Sequence, residues 1–232
     1  MQAFGVRVKA HIFDVDHTVT AGSTMRHFLL ESLGSGVVPL RRLRRLPLEW
    51  LKYKMGSPDL DFIENAVRLT AGMGESDLER IARASFERRV ARDVFPGAEA
   101  LVREAVARGE PVVFASSSFR IALDPLARHL GVGEVLACEL EFAGGRTTGR
   151  LVGKSPFGPK KLEVAREWME RRGVSAADVS FYSDSYVDIP LLEFCGRAVA
   201  VNPDRALERE SRKRGWEILR FARSRFRRSF GR

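Results

Sequence analysis

Four short runs of apolar, β-branched residues, at 8–13, 112–115, 179–182 and 198–201, constrain this chain more than any other feature. Helical patterns at 97–108, 119–129 and 160–172 separate the later runs, and each is followed by a glycine, Gly109, Gly131 or Gly173, of the kind that ends helices. Strands that are apolar along their whole length must be covered on both faces, which alternating helices achieve around a parallel sheet. The expected fold class is therefore α/β, with a parallel sheet as its core. A shorter alternating stretch at 139–152 turns at Gly144-Gly145 and reads as a hairpin beside that sheet.

The rhythm breaks between residues 20 and 95, where helix formers dominate and no strand is evident. A helical insertion after the first strand is expected. Asp93-Val94-Phe95-Pro96-Gly97 marks the return, because proline disfavours helix in the residue before it and glycine permits a sharp turn. The expected division is a core of residues 1–20 and 96–232 with an insertion of residues 21–95. A length of 232 residues accommodates both. No apolar run approaches the 18 or so residues that span a bilayer, and the N-terminus shows no leader pattern, so a cytoplasmic protein is expected. Cys138 and Cys195 lie in apolar surroundings without metal or disulfide spacing and read as buried free thiols.

The chemistry begins where the first apolar run ends. The sequence VKAHIFDVDHTVT delivers Asp14, Asp16 and Thr18 in turn, and alternate residues of an extended segment share a face. Two carboxylates about 4 Å apart repel by about 4 kcal/mol at an effective dielectric near 20, so the pair calls for a cation, a shared proton, or both. An Asp-x-Asp alone is more often a solvated loop or a helix cap. Three further polar clusters, however, follow apolar runs or open a helix: Ser116-Ser117-Ser118 after VVFA, Lys160-Lys161, and Asp184 with Asp188 after VSFYS. The carboxyl ends of strands are where open α/β sheets bind ligands.

This ordered set, DxDxT then Ser, Lys and DxxxD, resembles the haloacid-dehalogenase-like superfamily over nearly the whole chain. FDVDHT, VVFASSSF, YSDSYVDIPLL and VAVNPD are similar to its phosphoserine-phosphatase-like branch, subclass IB. The resemblance implies a Rossmann-like core, a helical cap formed by the insertion, and Mg²⁺-dependent hydrolysis of phosphomonoesters through an aspartyl phosphate. By the same resemblance Asp14 is the nucleophile and Asp16 the acid and base. Mg²⁺ is held by Asp14, the backbone carbonyl of Asp16 and Asp184, with Asp188 buttressing from nearby. Thr18 and Ser116 bond phosphoryl oxygens, and Lys161, in better register than Lys160, neutralises their charge. Three departures stand out. Ser183 precedes the metal-site aspartate where glycine is common, His17 stands where glycine is frequent, and Ser23 takes the place of a glutamate that grips the ammonium of phosphoserine. The expected substrate is thus a small phosphorylated metabolite or a lysophospholipid-like phosphate. Transfer of the phosphoryl group to an alcohol uses the same intermediate and stays open as an alternative. His11, His27 and His129 show no metal or triad spacing.

A net charge of +9 implies attraction to anions. Arginines interleave with Leu40, Leu43, Leu46, Trp50 and Leu51, and a second basic run, from Arg220 to Arg232, surrounds Phe221, Phe226 and Phe230. Packing of the apolar stripe inside the insertion and a solvated, mobile tail account for these. The same features would also give weak, peripheral attachment to an anionic membrane. No motif supports specific nucleic-acid recognition, though a basic membrane- or nucleic-acid-binding protein with a weakly active pocket is the rival function class. Monomer and dimer remain equally open.

Overall fold

The computed structural model describes residues 9–37 and 67–223. In chain order the strands are β1 (Ala10–Phe13), β2 (Val112–Phe119), β3 (Glu134–Ala143), β4 (Arg146–Val152), β5 (Val179–Ser183), β6 (Arg197–Val201) and β7 (Glu217–Leu219). They form one sheet in the order β4-β3-β2-β1-β5-β6-β7, parallel except for the antiparallel β3–β4 pair. Gly144 and Gly145 both take positive φ, 57° and 72°, and close that hairpin as a two-residue turn.

Alternation along the strands explains the apolar runs. Phe13, Phe114, Val199 and Val201 enter one core cluster, while Ile12, Val113, Ala115, Phe181 and Ala200 enter a second one. Both faces of the sheet are therefore buried. From β1 the chain winds to β2 and β3 on one side, and later to β5, β6 and β7 on the other. Such a reversal opens a crevice between β1 and β5 at the carboxyl edge of the sheet.

The helices of the core are α3 (Pro96–Ala107), α4 (Arg120–Leu130), α5 (Pro159–Arg172), α6 (Ile189–Phe194) and α7 (Arg205–Arg214). The insertion contains α1 (Thr24–Gly34) and α2 (Glu75–Ser85), which continues through a π-helical turn, Phe86–Val90, to Ala91–Asp93. Two extended segments lead into and out of it. Thr20 bridges Val94 in antiparallel fashion, Ala21 N donates to Asp93 O at 2.7 Å and Phe95 N to Val19 O at 3.0 Å. A third cluster joins Met25, Phe28, Val67, Leu78 and Ile81 of the insertion to Phe119, Ala122, Cys138 and Leu140 of the core.

Several elements differ from the expectation. β2 runs on through the three serines to Phe119, with its register broken between Ala115 and Phe119, so these serines lie in an irregular strand end. The tail does not start as a free end: Phe221 packs beside Ala21, Phe95 and Ala98, and Arg220 pairs with Glu208 at 2.8 Å. The basic stretch expected at 40–54 and residues 224–232 lie outside the described residues. Among the described residues no helix is long and apolar enough to cross a membrane, and Cys138 and Cys195 are buried free thiols.

Candidate active site

The crevice between β1 and β5 collects most of the polar clusters. β1 ends at Phe13 and delivers Asp14, whose N–H donates to Tyr182 O at 2.9 Å, which fixes it against the adjacent strand. β5 ends at Ser183 and delivers Asp184. Lys161, in the first turn of α5, is only 6% exposed and reaches across both, donating to Asp14 Oδ1 at 2.9 Å and to Asp188 Oδ2 at 2.7 Å. Lys160 faces solvent, so the helix register selects Lys161. Thr18 Oγ1 donates to Asp184 Oδ1 at 3.2 Å, which places the threonine on the second aspartate.

Asp16 lies on the opposite side of this cluster and faces the insertion. Thr24 N–H, the first amide of α1, donates to its Oδ1 at 2.8 Å, and Thr24 Oγ1 does so at 2.7 Å. Its Oδ2 accepts from Ser118 Oγ at 3.0 Å and from Ser23 Oγ at 3.1 Å. Ser116 is buried at the end of β2, and its Oγ accepts Ser118 N–H at 3.1 Å. It has not been drawn onto Asp14 or Lys161 by any hydrogen bond among the described residues.

The electrostatics are those of crowded acids. Burial pushes the Asp14 carboxyl above its ordinary range, against the pull of Lys161. Burial pushes Asp184 up as well, and Asp14 adds to the effect. The Lys161 ammonium is opposed by burial, yet Asp14 and Asp188 outweigh that and hold it above the ordinary lysine range. Asp188 Oδ1 is buried with no hydrogen-bond partner. One ammonium thus faces three carboxylates, an excess of negative charge that suits a divalent cation. No group of three His, Cys, Asp or Glu side chains among the described residues is placed to hold a metal alone. Mg²⁺ does not need one, because it binds through one or two carboxylates and keeps several waters. Asp14, Asp184 and a backbone carbonyl fit that demand.

Four residues of this neighbourhood carry roles that sequence reasoning had not assigned. Ser183 Oγ donates to Asp188 Oδ2 at 2.7 Å and accepts Ser185 N–H at 3.2 Å, so the hydroxyl that replaces a glycine fastens Asp188. Thr24, Ser118 and Ser23 converge on Asp16. Ser183 and Ser23 were already visible as departures from the family pattern, though not with these partners; Thr24 had only its proximity in sequence to Asp16, and Ser118 its place in the serine triplet. His17 takes φ 66° and is exposed, which explains why glycine is frequent at its position. A surface depression lined by Arg166, Met169, Glu170 and Phe194 lies toward the other end of α5 from Lys161 and contains none of these groups.

The model of the haloacid dehalogenase-like hydrolase family matches residues 12–193. The inhibition of morphological differentiation protein of Streptomyces azureus is 32% identical over 219 residues, which cover 92% of this chain and 79% of that protein. Phosphoserine phosphatase SerB1 of Mycobacterium tuberculosis is 31% identical over 223 residues, 91% of this chain and 70% of that protein. Among solved structures, a protein of unknown function from Bordetella pertussis Tohama I aligns with a TM-score of 0.83 at 26% identity, covering 92% of this chain and 99% of that one.

Proposed function

The chain belongs to the haloacid dehalogenase-like hydrolases, as a phosphatase of that family, and from this premise we propose that it hydrolyses phosphomonoesters through an aspartyl phosphate on Asp14. The observation that supports this most directly is the contact of Lys161 Nζ with Asp14 Oδ1 and Asp188 Oδ2 in the β1/β5 crevice. A carboxylate oxygen of Asp14 attacks phosphorus and the ester oxygen leaves with the bonding pair. Asp16 gives that oxygen its proton, then takes one from the water that attacks phosphorus of the aspartyl phosphate, whose bond to the Asp14 oxygen breaks to free the carboxylate and release phosphate. Lys161 offsets negative charge on the phosphoryl oxygens, Ser116 and Thr18 donate to them, and Asp188 with Ser183 holds the ammonium in place. Asp14, Asp184 and the backbone carbonyl of Asp16 would hold Mg²⁺, which supplies further charge neutralisation at the phosphoryl group.

Residues 21–95 act as the cap, with 1–20 and 96–232 as the core; the paired segments at Thr20 and Val94 support that boundary. The substrate class is a small phosphorylated metabolite or a lysophospholipid-like phosphate. SerB1 is named for phosphoserine, but Ser23 of this chain is spent on Asp16 and on the Arg26 N–H and brings no charge for an ammonium group. The test is a Mg²⁺-supported phosphate-release screen over many monoesters with Asp14→Asn as the blank. Acid-quenched samples should carry phosphate on the peptide containing Asp14. Release by Asp14→Asn at the parent rate would overturn the mechanism.

A further inference from the structure

We infer that Thr24 and Ser118 are positioning residues for Asp16, so that the first helix of the insertion is part of the apparatus that aims the acid. This rests on the reading of Asp16 as acid and base. Both oxygens of the Asp16 carboxylate are held: Oδ1 by the N–H and hydroxyl of Thr24 at 2.8 and 2.7 Å, Oδ2 by Ser118 Oγ at 3.0 Å and Ser23 Oγ at 3.1 Å. Thr24 Oγ1 and Ser118 Oγ are themselves 2.9 Å apart, and when Asp16 carries its acid proton the carboxyl and the two hydroxyls have the three protons that a closed ring needs. Thr24 and Ser118 are buried, at 1% and 2% exposure, so water competes little for these bonds.

Helix capping alone does not account for the ring. The first amides of a helix lack intrahelical partners and attract a carboxylate, and the Thr24 N–H bond to Asp16 is of that kind. The N-cap of α1 is already Ser23, however, whose side chain accepts Arg26 N–H at 3.3 Å. Ser118 belongs to β2, and at the start of α1 its hydroxyl meets the Thr24 side chain rather than an orphan amide. What it adds is a hold on the second oxygen. One bond fixes where a carboxylate oxygen lies; bonds to both oxygens fix the plane of the group as well. Delivery of a proton to a leaving oxygen needs alignment within about 0.5 Å and 10–20°. Ser118 N–H is bonded in turn to Ser116 Oγ, so the strand end that offers Ser116 to the phosphoryl group also sets Asp16. Cap, strand end and first loop meet at one carboxylate.

Thr24→Val, Ser118→Ala and the double variant of the full chain are to be compared with Asp16→Asn on two esters, an aliphatic phosphate that needs leaving-group protonation and p-nitrophenyl phosphate that does not. A misaimed acid slows phosphorylation of Asp14 by the first ester and spares it with the second; hydrolysis of the aspartyl phosphate, where Asp16 acts as base, is common to both, so the rate compared is the single-turnover release of the leaving alcohol. The expected result for the double variant is a loss of about tenfold or more in that single-turnover rate on the aliphatic ester and a loss under about threefold on p-nitrophenyl phosphate. Thr24→Ser, which keeps the hydroxyl, should restore the aliphatic rate. Melting curves identify any variant that fails to fold, and Ser118→Ala, which leaves the Ser23 N-cap of α1 intact, carries the test if Thr24→Val is one of these. Equal losses on both esters, or no loss, while Asp16→Asn shows the asymmetry, would overturn the inference alone. An Asp16→Asn protein without asymmetry removes the acid itself, and the inference with it.

Discussion

Asp14 and Asp184 bear the strain of the site at the scale of single residues. Replacing Asp14 with asparagine removes the nucleophile, keeps the shape, and takes one negative charge out of a buried cluster. The expected outcome is loss of phosphate release with a melting temperature in EDTA at or above that of the parent chain, checked by calorimetry alongside the assay. Lys161→Met should differ, because it leaves Asp14 and Asp188 buried without their cation; breaking a buried pair in this way costs about 3–5 kcal/mol. Its melting temperature should fall steeply. The pH dependence follows from the raised carboxyls. Burial lifts Asp14 to about 6 and Asp184 to about 8, both from 3.8, so over that window the folded chain binds more protons than the unfolded chain. Stability without metal therefore falls as pH rises through it. Mg²⁺ favours the ionised carboxylates, and the rise in melting temperature on adding it should be larger at about pH 8 than at about pH 5. An equal rise at both pH values counts against Asp14 and Asp184 as its ligands. These acids were legible in the sequence because apolar runs end on them. The roles of Thr24, Ser118 and Ser183 were not, since their hydroxyls gain meaning only from partners brought up by the fold.

At the scale of elements, the segment after β7 turns back onto the joint between core and insertion. Asn202, at φ 44°, turns its side chain so that Oδ1 accepts Phe221 N–H at 2.9 Å. Phe221 then packs beside Ala21, Phe95 and Ala98, and Arg223 donates to Ala21 O at 3.0 Å. The approach is close enough to require glycine at 97, where a Cβ would lie 2.3 Å from Phe221 Cδ1. Phe221→Ala should destabilise the chain by about 2 kcal/mol through lost burial. Gly97→Ala should act by displacing the same ring. The two effects should then be strongly non-additive in a double-mutant cycle of denaturant midpoints. Additive effects would show that Gly97 matters for another reason. The elements that escaped sequence reading share a physical cause. β7 spans three residues, and α7 is charged along nearly its whole length, so neither shows the apolar period by which β1, β5 and α5 were found. β2 was read too short because the serines at its end look like a loop.

The whole molecule carries a net charge of +9, and the docked position of Phe221 and Arg223 divides its basic end into two parts with different expected roles. Arg220 and Arg223 are engaged by Glu208 and Ala21, so removing them changes the fold as well as the charge. Removing residues 224–232 deletes Arg225, Arg227, Arg228 and Arg232 and leaves every described contact in place. A basic residue near an anionic leaflet contributes about 1 kcal/mol, and the attraction decays over about 10 Å at 0.1 M salt. A chain ending at Arg223 should therefore bind anionic vesicles more weakly than the full chain at low salt, with a flatter dependence on salt, and should keep the parent melting temperature and turnover of a small soluble ester. A chain ending at Leu219 should lose stability too. Vesicle sedimentation across a salt series, run beside calorimetry on both truncations, separates the two contributions. If the full chain ignores anionic vesicles at low salt, or if ending at Arg223 leaves binding untouched, the terminal arginines do not recruit the enzyme to membranes.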